Sequence, residues 1–223
     1  MFILGDIHGN FTYLRYLINT IGENGPIIQV GDFGMGNNIN NMEALLYGLN
    51  KLLVEVGTKL YVIRGNHDNP YFWQGKHTYE NIQLLPDYTI KEVEGKRVLF
   101  VGGATSIDRK VNANYWPDEK FVYDKDKTFE ARDIDIVITH TAPNFVFPIG
   151  INDTVKHFAQ NDPNLITDLY MEREQMAQMC NVLMDNNNIT HHFYGHYHTN
   201  KLTEFEGCDF RCVGINETHD LRV

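Results

Sequence analysis

The sequence predicts an α/β fold in which two β-sheets lie in layers within one domain. Short apolar runs alternate with helical patterns over the first third of the chain, and strand-like runs dominate the middle and the end. A chain of 223 residues can be served by one hydrophobic core. No repeat, low-complexity tract or flexible linker divides the sequence, which favours a single domain over residues 1–223.

The first third has the β-α-β-α-β order of a parallel sheet. Its predicted elements are a strand at Phe2-Ile3-Leu4, a helix from Asn10 to about Thr20, a strand from Ile27 to Val30, a helix from Asn41 to Val56 and a strand from Leu60 to Ile63. The strand runs are continuously apolar, as in sheets that are covered on both faces, and each ends in Gly-Asp or Gly-Asn. Ligands of such sheets bind beyond the carboxyl ends of the strands, so we expect the functional site there.

The rest of the chain predicts more strands, two helices and two long loops. Runs at Ile82-Leu85, Tyr88-Val93 and Arg97-Val101, separated by turns, predict a meander. A helix is expected from near Asp124, a buried strand from Ile134 to Thr139, a helix from Asp162 to Asp185, and strands between His192 and Val213. The segments Ser106 to Glu119 and Thr141 to Pro163 are predicted to be functional loops.

Charge and cysteine content limit the classes of partner. The formal net charge of -10 argues against an extended nucleic-acid surface or an anionic membrane surface, because such binding depends on Lys and Arg. The sequence has no signal-peptide pattern and no apolar run long enough to span a bilayer. Three cysteines without metal-ligand spacing suit free thiols, so a cytoplasmic location is the expectation.

Five short blocks place Asp, His or Asn at predicted strand ends. They are Gly5-Asp6-Ile7-His8-Gly9-Asn10, Gly31-Asp32-Phe33-Gly34, Gly65-Asn66-His67-Asp68, Thr139-His140 and Gly195-His196-Tyr197-His198. In the first and last blocks two candidate ligands are separated by one residue, and an extended backbone would point both side chains the same way. We therefore expect these side chains to converge on a metal cluster.

The candidate ligands are carboxylates, imidazoles and an amide, without any thiolate. This set favours Mn, Fe, Zn, Co or Ni over a structural zinc site, and Mn is the first choice. Seven ligand residues exceed what one metal ion requires. Two ions roughly 3.5–4 Å apart would clamp the attacking and leaving oxygens of a phosphoryl transfer.

The ordered series GDIHGN, GDFG, GNHD, TH and GHYH resembles the calcineurin-like metallophosphoesterase superfamily along nearly the whole chain. The resemblance implies a four-layer α/β/β/α sandwich, in which two mixed β-sheets are flanked by helices. It implies one metal ion at Asp6, His8, Asp32 and His198, and a second at Asp32, Asn66, His140 and His196, with Asp32 bridging both. His67 resembles the family's catalytic histidine, which assists the leaving group.

One departure from the family pattern concerns the protein serine/threonine phosphatases. Their second motif continues as Gly-Asp-x-x-Asp-Arg-Gly and so supplies a partner for the catalytic His and a phosphate-binding Arg. This chain has Met35 and Gly36 at those two places. The sequence therefore does not establish protein phosphatase activity, although that activity stays open as an alternative.

A second stretch resembles a feature of bacterial and phage-borne members of the superfamily. It runs Gly102-Gly103-Ala104-Thr105-Ser106-Ile107-Asp108-Arg109 and continues at Trp116-Pro117-Asp118-Glu119. Arg109 is a candidate for binding phosphate bidentately, and Asp108 is a candidate for orienting His67. Arg64 is a further phosphate-binding candidate, with a salt bridge as the alternative for both arginines. Asp68 is expected to cap a helix that begins near Asn69.

Together these features predict a dinuclear metal-dependent hydrolase of phosphate esters. The resemblance implies attack by a metal-bridging hydroxide, with His67 assisting the departing oxygen. The acidic net charge and the absence of the phosphatase Asp and Arg favour a small phosphorylated metabolite or nucleotide as the substrate. A nuclease or cyclic-nucleotide phosphodiesterase is an alternative within the same chemistry. A metal-binding scaffold without catalysis is the alternative from another class, and the intact ligand set weighs against it.

Overall fold

The computed structural model describes residues 1–36, 38–75, 77–112, 115–146 and 148–222. Its helices are α1 (Phe11–Ile21), α2 (Ile39–Val56), α3 (Lys125–Glu130), α4 (Asp153–Ala159) and α5 (Leu165–Asn186), with a short 3₁₀ helix at Pro70–Trp73. Its strands are β1 (Phe2–Leu4), β2 (Ile27–Gln29), β3 (Leu60–Val62), β4 (Ile82–Leu84), β5 (Thr89–Val93), β6 (Lys96–Val101), β7 (Ile136–Thr139), β8 (His191–Tyr194), β9 (Lys201–Phe205), β10 (Cys208–Cys212) and β11 (Thr218–Asp220).

The strands form two mixed sheets. The first has the order β11-β1-β2-β3-β4, in which β1 to β4 are parallel and β11 is antiparallel to β1. The second has the order β5-β6-β7-β8-β10-β9, with parallel β6, β7, β8 and β10 between two antiparallel edge strands. The predicted β-α-β-α-β order of the first third is therefore confirmed.

Three apolar clusters stack the molecule into four layers. The sheets face each other through side chains such as Ile28 and Ile63 from the first and Phe100 and Ile138 from the second. The outer face of the first sheet packs against α1 and α2, and the outer face of the second packs against α5. The expected α/β/β/α sandwich is confirmed, because each sheet buries one face against its partner and the other against helices.

The predicted meander is wrong. Strand β4 pairs in parallel with β3 in the first sheet, whereas β5 and β6 form an antiparallel hairpin in the second. The Pro86-Asp87 turn carries the chain from one sheet to the other. Asp87 stabilises this crossing, because its carboxylate accepts hydrogen bonds from Arg64 and from the backbone N–H of Gly102.

The predicted loop from Thr141 to Pro163 contains the short helix α4, whose N-cap is Asn152. The helix predicted from Asp162 begins at Leu165, although Asp162 accepts the backbone N–H of Leu165. Residues 113, 114 and 147 of the two predicted loops lie outside the described residues. Within the described part of the chain, no helix combines the length and apolar content needed to cross a membrane.

Candidate metal centre

The candidate ligands all follow the carboxyl ends of parallel strands. Asp6, Asp32 and Asn66 come after β1, β2 and β3 of the first sheet, and His140 and His196 come after β7 and β8 of the second. Because the two sheets face each other, these ends meet at one edge of the sandwich. The tertiary structure thus joins the first block to the last, with Asp6 and His198 in contact.

One group of ligand atoms comes from Asp6, His8, Asp32 and His198, and these atoms all lie within 4.8 Å of one another. Nε2 of His198 lies 3.0 Å from Nε2 of His8 and 3.4 Å from Oδ2 of Asp6. Nε2 of His8 lies 3.9 Å from Oδ2 of Asp32. Two imidazole nitrogens and two carboxylates therefore point at one small volume, as a divalent cation requires.

A second group comes from Asp32, His140 and His196 and meets the same 4.8 Å limit. The amide oxygen of Asn66 lies 3.0 Å from Nε2 of His140 and 2.9 Å from Nδ1 of His196. Oδ1 of Asp32 lies 3.4 Å from Nε2 of His140. Asp32 belongs to both groups, so its carboxylate lies between two potential cation positions.

Two local details show that these residues fit metal ions. Oδ2 of Asp32 is buried and accepts no hydrogen bond from any described residue, which is costly for a carboxylate unless a cation compensates. His140 lies with Nδ1 2.8 Å from the carbonyl oxygen of Val30. Since a carbonyl only accepts, Nδ1 carries a proton, which leaves Nε2 as the ring nitrogen that faces the centre and could bind a metal ion.

The electrostatics of the centre favour positive charge. Burial opposes ionisation of Asp32, but the charge and hydrogen bond of His140 outweigh burial and lower the pKa of Asp32 far below its usual range. Burial disfavours the charged form of His140 as well, yet Asp32 raises the pKa of His140 to about 9. Burial, followed by repulsion from His140, lowers the pKa of His196 well below its ordinary value. The ionised carboxylate of Asp32 thus holds positive charge in a buried place, either a proton on His140 or a divalent ion.

The backbone around the ligands differs from the predicted extended form. His8, Asp32, His196 and His198 have φ values of 42°, 54°, 67° and 52°. These values lie in the left-handed region, which non-glycine residues seldom adopt. The expectation that extended backbone aligns the flanking side chains is therefore wrong. The strands end before the ligands, and tight turns direct the side chains into the centre.

Two glycines allow the strand ends to approach closely. A Cβ atom on Gly65 would lie 2.0 Å from Oδ1 of Asp32, and one on Gly195 would lie 2.1 Å from Oδ1 of Asp6. Any other residue would displace these carboxylates. The glycines of the sequence blocks thus provide space for the ligands.

His67 lies at the edge of the centre. Its backbone N–H donates to Oδ1 of Asp32 over 2.9 Å, and its ring centroid lies 5.7 Å from that of His8. The side chain also lines the adjacent cavity. His67 is thereby close to both ligand groups and to the space that a substrate would occupy.

The sequence predicts that Asp68 caps a helix, and this prediction is wrong. Its buried carboxylate accepts hydrogen bonds from the backbone N–H groups of Phe33, Gly34, Met35 and Gly65. Asn69 is the N-cap of the following 3₁₀ helix. Asp68 therefore ties the turn after β2 to the turn after β3, and only the tertiary structure reveals this role.

The two arginine candidates are held by carboxylates. Arg64 forms an ion pair of 2.7 Å with Asp87 and donates to the backbone carbonyls of residues 118–120. Arg109 forms ion pairs of 2.5 Å with Asp162 and 2.6 Å with Asp168. Both guanidinium groups thus anchor loops, as the salt-bridge alternative predicts.

The candidate orienting residue Asp108 reaches the cavity next to His67. Among the described residues, no hydrogen bond joins the Asp108 carboxylate to His67. The carboxylate instead accepts a hydrogen bond of 3.0 Å from the side chain of Asn112. The structure thus brings Asp108 near the site without a direct contact to the histidine.

A cavity of about 330 Å³ opens beside the centre. Its polar lining includes Asp32, Asn66, His67, His196 and His198 from the centre, together with Asp108 and Arg173. Its apolar wall consists of Ile107, Ile149, Val155, Phe158 and Leu169. Helix α4 supplies Val155 and Phe158, so the helix that the sequence did not reveal forms part of the cavity.

Known structures share this fold at low sequence identity. One crystal structure superposes with a TM-score of 0.55 at 14% identity, covering 96% of this chain and 90% of that chain. A putative 5'-nucleotidase from Staphylococcus aureus in complex with alpha-ketoglutarate superposes with a TM-score of 0.52 at 14% identity. That alignment covers 97% of this chain and 48% of the nucleotidase, so this chain spans about half of its length.

Sequence comparison identifies the family. No curated protein sequence matches the chain. The profile of the calcineurin-like phosphoesterase family, however, matches residues 1–200, a span that contains every candidate ligand. The chain therefore belongs to the calcineurin-like phosphoesterase family and is a metal-dependent phosphoesterase.

Proposed function

We propose that the chain hydrolyses phosphate esters of small molecules at a dinuclear metal centre. The observation that carries this proposal is the buried carboxylate of Asp32, which is common to two ligand groups and lines a cavity. Asp6, His8, Asp32 and His198 would hold one ion. Asp32, Asn66, His140 and His196 would hold the other.

Manganese is the proposed ion, because carboxylate and amide oxygens suit Mn²⁺ and imidazole tolerates it, with Fe, Zn, Co and Ni as the other options. When bound, two such ions supply a nucleophile at neutral pH and neutralise charge on the phosphoryl oxygens. The protein itself contributes by holding the metal-ligand atoms in fixed positions. Asp32 has a fixed orientation, because its Oδ1 accepts the backbone N–H of His67.

His67 is the proposed acid for the leaving group. It is partly buried, lines the cavity and lies next to His8 without belonging to either ligand group. A protonated imidazole at this place would donate a proton to the departing ester oxygen as the bond to phosphorus breaks. Loss of His67 should therefore reduce turnover and leave the ligand set intact.

The cavity supports a substrate of limited size. Its volume of about 330 Å³ lies at the lower end of the range for small-molecule sites. The apolar side chains that line the cavity suit the carbon skeleton or base of a phosphorylated metabolite or nucleotide. The leaving group would lie against Phe158 and Ile149, with the phosphate at the metal centre.

The main alternatives are less well supported. Met35 stands where the protein phosphatases have the Asp that partners their catalytic histidine. Its side chain is fully buried and its backbone N–H donates to Asp68, so this position supplies no acid for His67. The net charge of -10 disfavours a nuclease on long nucleic acid. A scaffold would not require the complete ligand set. The proposal also includes a single domain and a cytoplasmic location. The three buried free cysteines are compatible with that location.

The test is a paired assay of an aryl phosphate monoester and an aryl phosphate diester with Mn²⁺, followed by a panel of nucleotides. Asp32→Ala should abolish turnover together with metal binding. His67→Asn should reduce turnover strongly while metal content is retained. The matched control is His191→Asn, which alters a histidine at the opposite end of β8 and should leave turnover unchanged.

Two outcomes would contradict the proposal. Full activity in both Asp32→Ala and His67→Asn would mean that these residues do not form the reactive site. Binding of two metal ions by the unaltered protein, without turnover of any ester, would favour the scaffold.

A further inference from the structure

Two buried residues, Ser106 and Glu119, are connected to Asn66 by hydrogen bonds and have no part in the chemistry described above. The carboxylate of Glu119 accepts hydrogen bonds from the backbone N–H of Ser106 over 2.7 Å and from its hydroxyl group over 2.8 Å. The Ser106 oxygen in turn lies 2.9 Å from Nδ2 of Asn66. Glu119 and Ser106 are 0% and 2% exposed, so solvent does not substitute for these contacts.

We propose that Glu119 and Ser106 are positioning residues that orient the Asn66 amide and thereby define the second metal position. The inference rests on the proposed dinuclear centre. It assigns a purpose to the Ser106–Glu119 stretch, whose Arg109 is engaged in ion pairs instead.

The single proton of the Ser106 hydroxyl group determines how the Asn66 amide is oriented. A carboxylate only accepts, so this proton is directed at Glu119. The Ser106 oxygen then has only lone pairs left for Asn66 and requires a donor from it. The amide must therefore turn its NH₂ group toward Ser106 and its oxygen toward His140 and His196. That oxygen is the atom that a metal ion needs.

The opposite orientation of the amide is penalised. It would place the amide oxygen against the Ser106 oxygen and the NH₂ group at the metal position. Ser106 would then have to withdraw its proton from Glu119, leaving a buried carboxylate oxygen without a partner, which costs about 1–3 kcal/mol or more for a charged group. The charge on Glu119 thus selects the orientation of the Asn66 amide through the Ser106 hydroxyl group.

The backbone keeps this chain of contacts in place. The N–H of Ala104 donates to the carbonyl of Glu119 over 3.2 Å, and Arg64 donates to the same carbonyl over 2.6 Å. The ion pair of Arg64 with Asp87 anchors this guanidinium at the crossing between the sheets. Ser106 and Glu119 consequently face Asn66 from a fixed direction.

The decisive experiment reverses the direction of the hydrogen bonds that run between Asn66, Ser106 and Glu119. In Glu119→Gln the backbone N–H of Ser106 fixes the new amide oxygen, so the new NH₂ group donates to the Ser106 hydroxyl. The Ser106 proton then points at Asn66 and favours the wrong amide orientation. In Asn66→Asp the same reversal is beneficial, because an aspartate at residue 66 accepts the Ser106 proton.

The measurement is Mn²⁺ titration calorimetry at pH 8, with electron paramagnetic resonance to distinguish coupled from isolated Mn²⁺. Burial raises the pKa of Glu119 to about 7, so pH 8 keeps its carboxylate ionised. Glu119→Gln should raise the Kd of the second Mn²⁺ by about 10-fold or more and leave the first unchanged. In the Asn66→Asp background, Glu119→Gln should instead lower the Kd of the second Mn²⁺.

The matched control is Thr105→Val, which removes a neighbouring buried hydroxyl–carboxylate hydrogen bond of 2.7 Å, from Thr105 to Glu172. It should leave both Mn²⁺ affinities unchanged. The inference is overturned if Glu119→Gln has the same effect in both backgrounds, or if Thr105→Val matches it. These affinities are measured without any ester, so ester hydrolysis can fail as a function while the positioning role is still tested.

Discussion

Oδ1 of Asp68 lies 2.9 Å from the backbone nitrogen of Met35, the residue that stands where protein phosphatases have an acid. The same carboxylate binds Gly65, so it links the turn that carries Asp32 to the turn that carries Asn66. A side chain adjacent to His67 thus supports the metal centre through backbone N–H groups. It requires a full set of acceptor lone pairs to do so.

Asp68→Asn should destabilise the protein and weaken metal binding. An amide accepts through one oxygen only, so its NH₂ group would face N–H donors in a buried place. We expect the free energy of unfolding to fall by about 2–4 kcal/mol in urea titrations of the metal-free protein. The control is Asp118→Asn at an exposed position, and equal stability of the two variants would refute the supporting role.

Gly65→Ala should disrupt the centre by displacing Asp32. The added Cβ would lie 2.0 Å from Oδ1 of Asp32 and 2.1 Å from its backbone nitrogen. We expect loss of at least one metal equivalent, measured by elemental analysis after dialysis. Gly36→Ala is the matched control, since a Cβ there meets no atom within 4 Å. Two retained metal equivalents in Gly65→Ala would contradict this account of the glycine.

Phe158→Ala should weaken substrate binding without affecting the metal ions. Phe158 belongs to the apolar wall of the cavity, so its loss should raise the KM of an aryl phosphate by about 10-fold and leave kcat nearly unchanged. The control is Phe129→Ala, because Phe129 is 62% exposed on α3 and lies outside the cavity. An unchanged KM for aryl phosphates of every size would place the leaving group elsewhere.

His192 should make stability depend on pH. Its ring is buried, with Nε2 2.8 Å from the hydroxyl oxygen of Thr139 and Nδ1 facing the sulfur of Cys180. The Thr139 hydroxyl donates to the carbonyl of Thr141, so it accepts the proton on Nε2. Burial lowers the pKa of His192 to about 3.

The unfolded chain therefore takes up a proton at His192 near pH 6.5, whereas the folded protein takes it up only near pH 3. This contribution to stability is complete above about pH 6.5 and is lost as the pH falls toward 3. His192→Gln should reduce the slope of the unfolding free energy between pH 6.5 and 5 by up to about 1.4 kcal/mol per pH unit. His157→Gln, on exposed α4, controls for the loss of a histidine; identical slopes in His192→Gln and the unaltered protein would disprove the assignment.

The strand ends at which the ligands lie can be predicted from local sequence alone. Apolar runs followed by Gly-Asp, Gly-Asn or Thr-His predict buried parallel strands, and parallel strands bring their carboxyl ends to one edge. Asp6, Asp32, Asn66, His140 and His196 are close together for this reason. Local patterns are sufficient because the ligand positions depend on where each strand stops.

How the strands, turns and loops meet depends on tertiary contacts that local sequence does not reveal. A strand has the same residue periodicity in either sheet, so periodicity does not show that β4 and β5 belong to different sheets. The crossing between them depends on hydrogen bonds from residues distant in sequence to Asp87. The short helix α4 lacks the length that makes helical periodicity readable. Asp68 and Glu119 act through buried hydrogen bonds to other segments, and such partners are set by packing rather than by neighbouring residues.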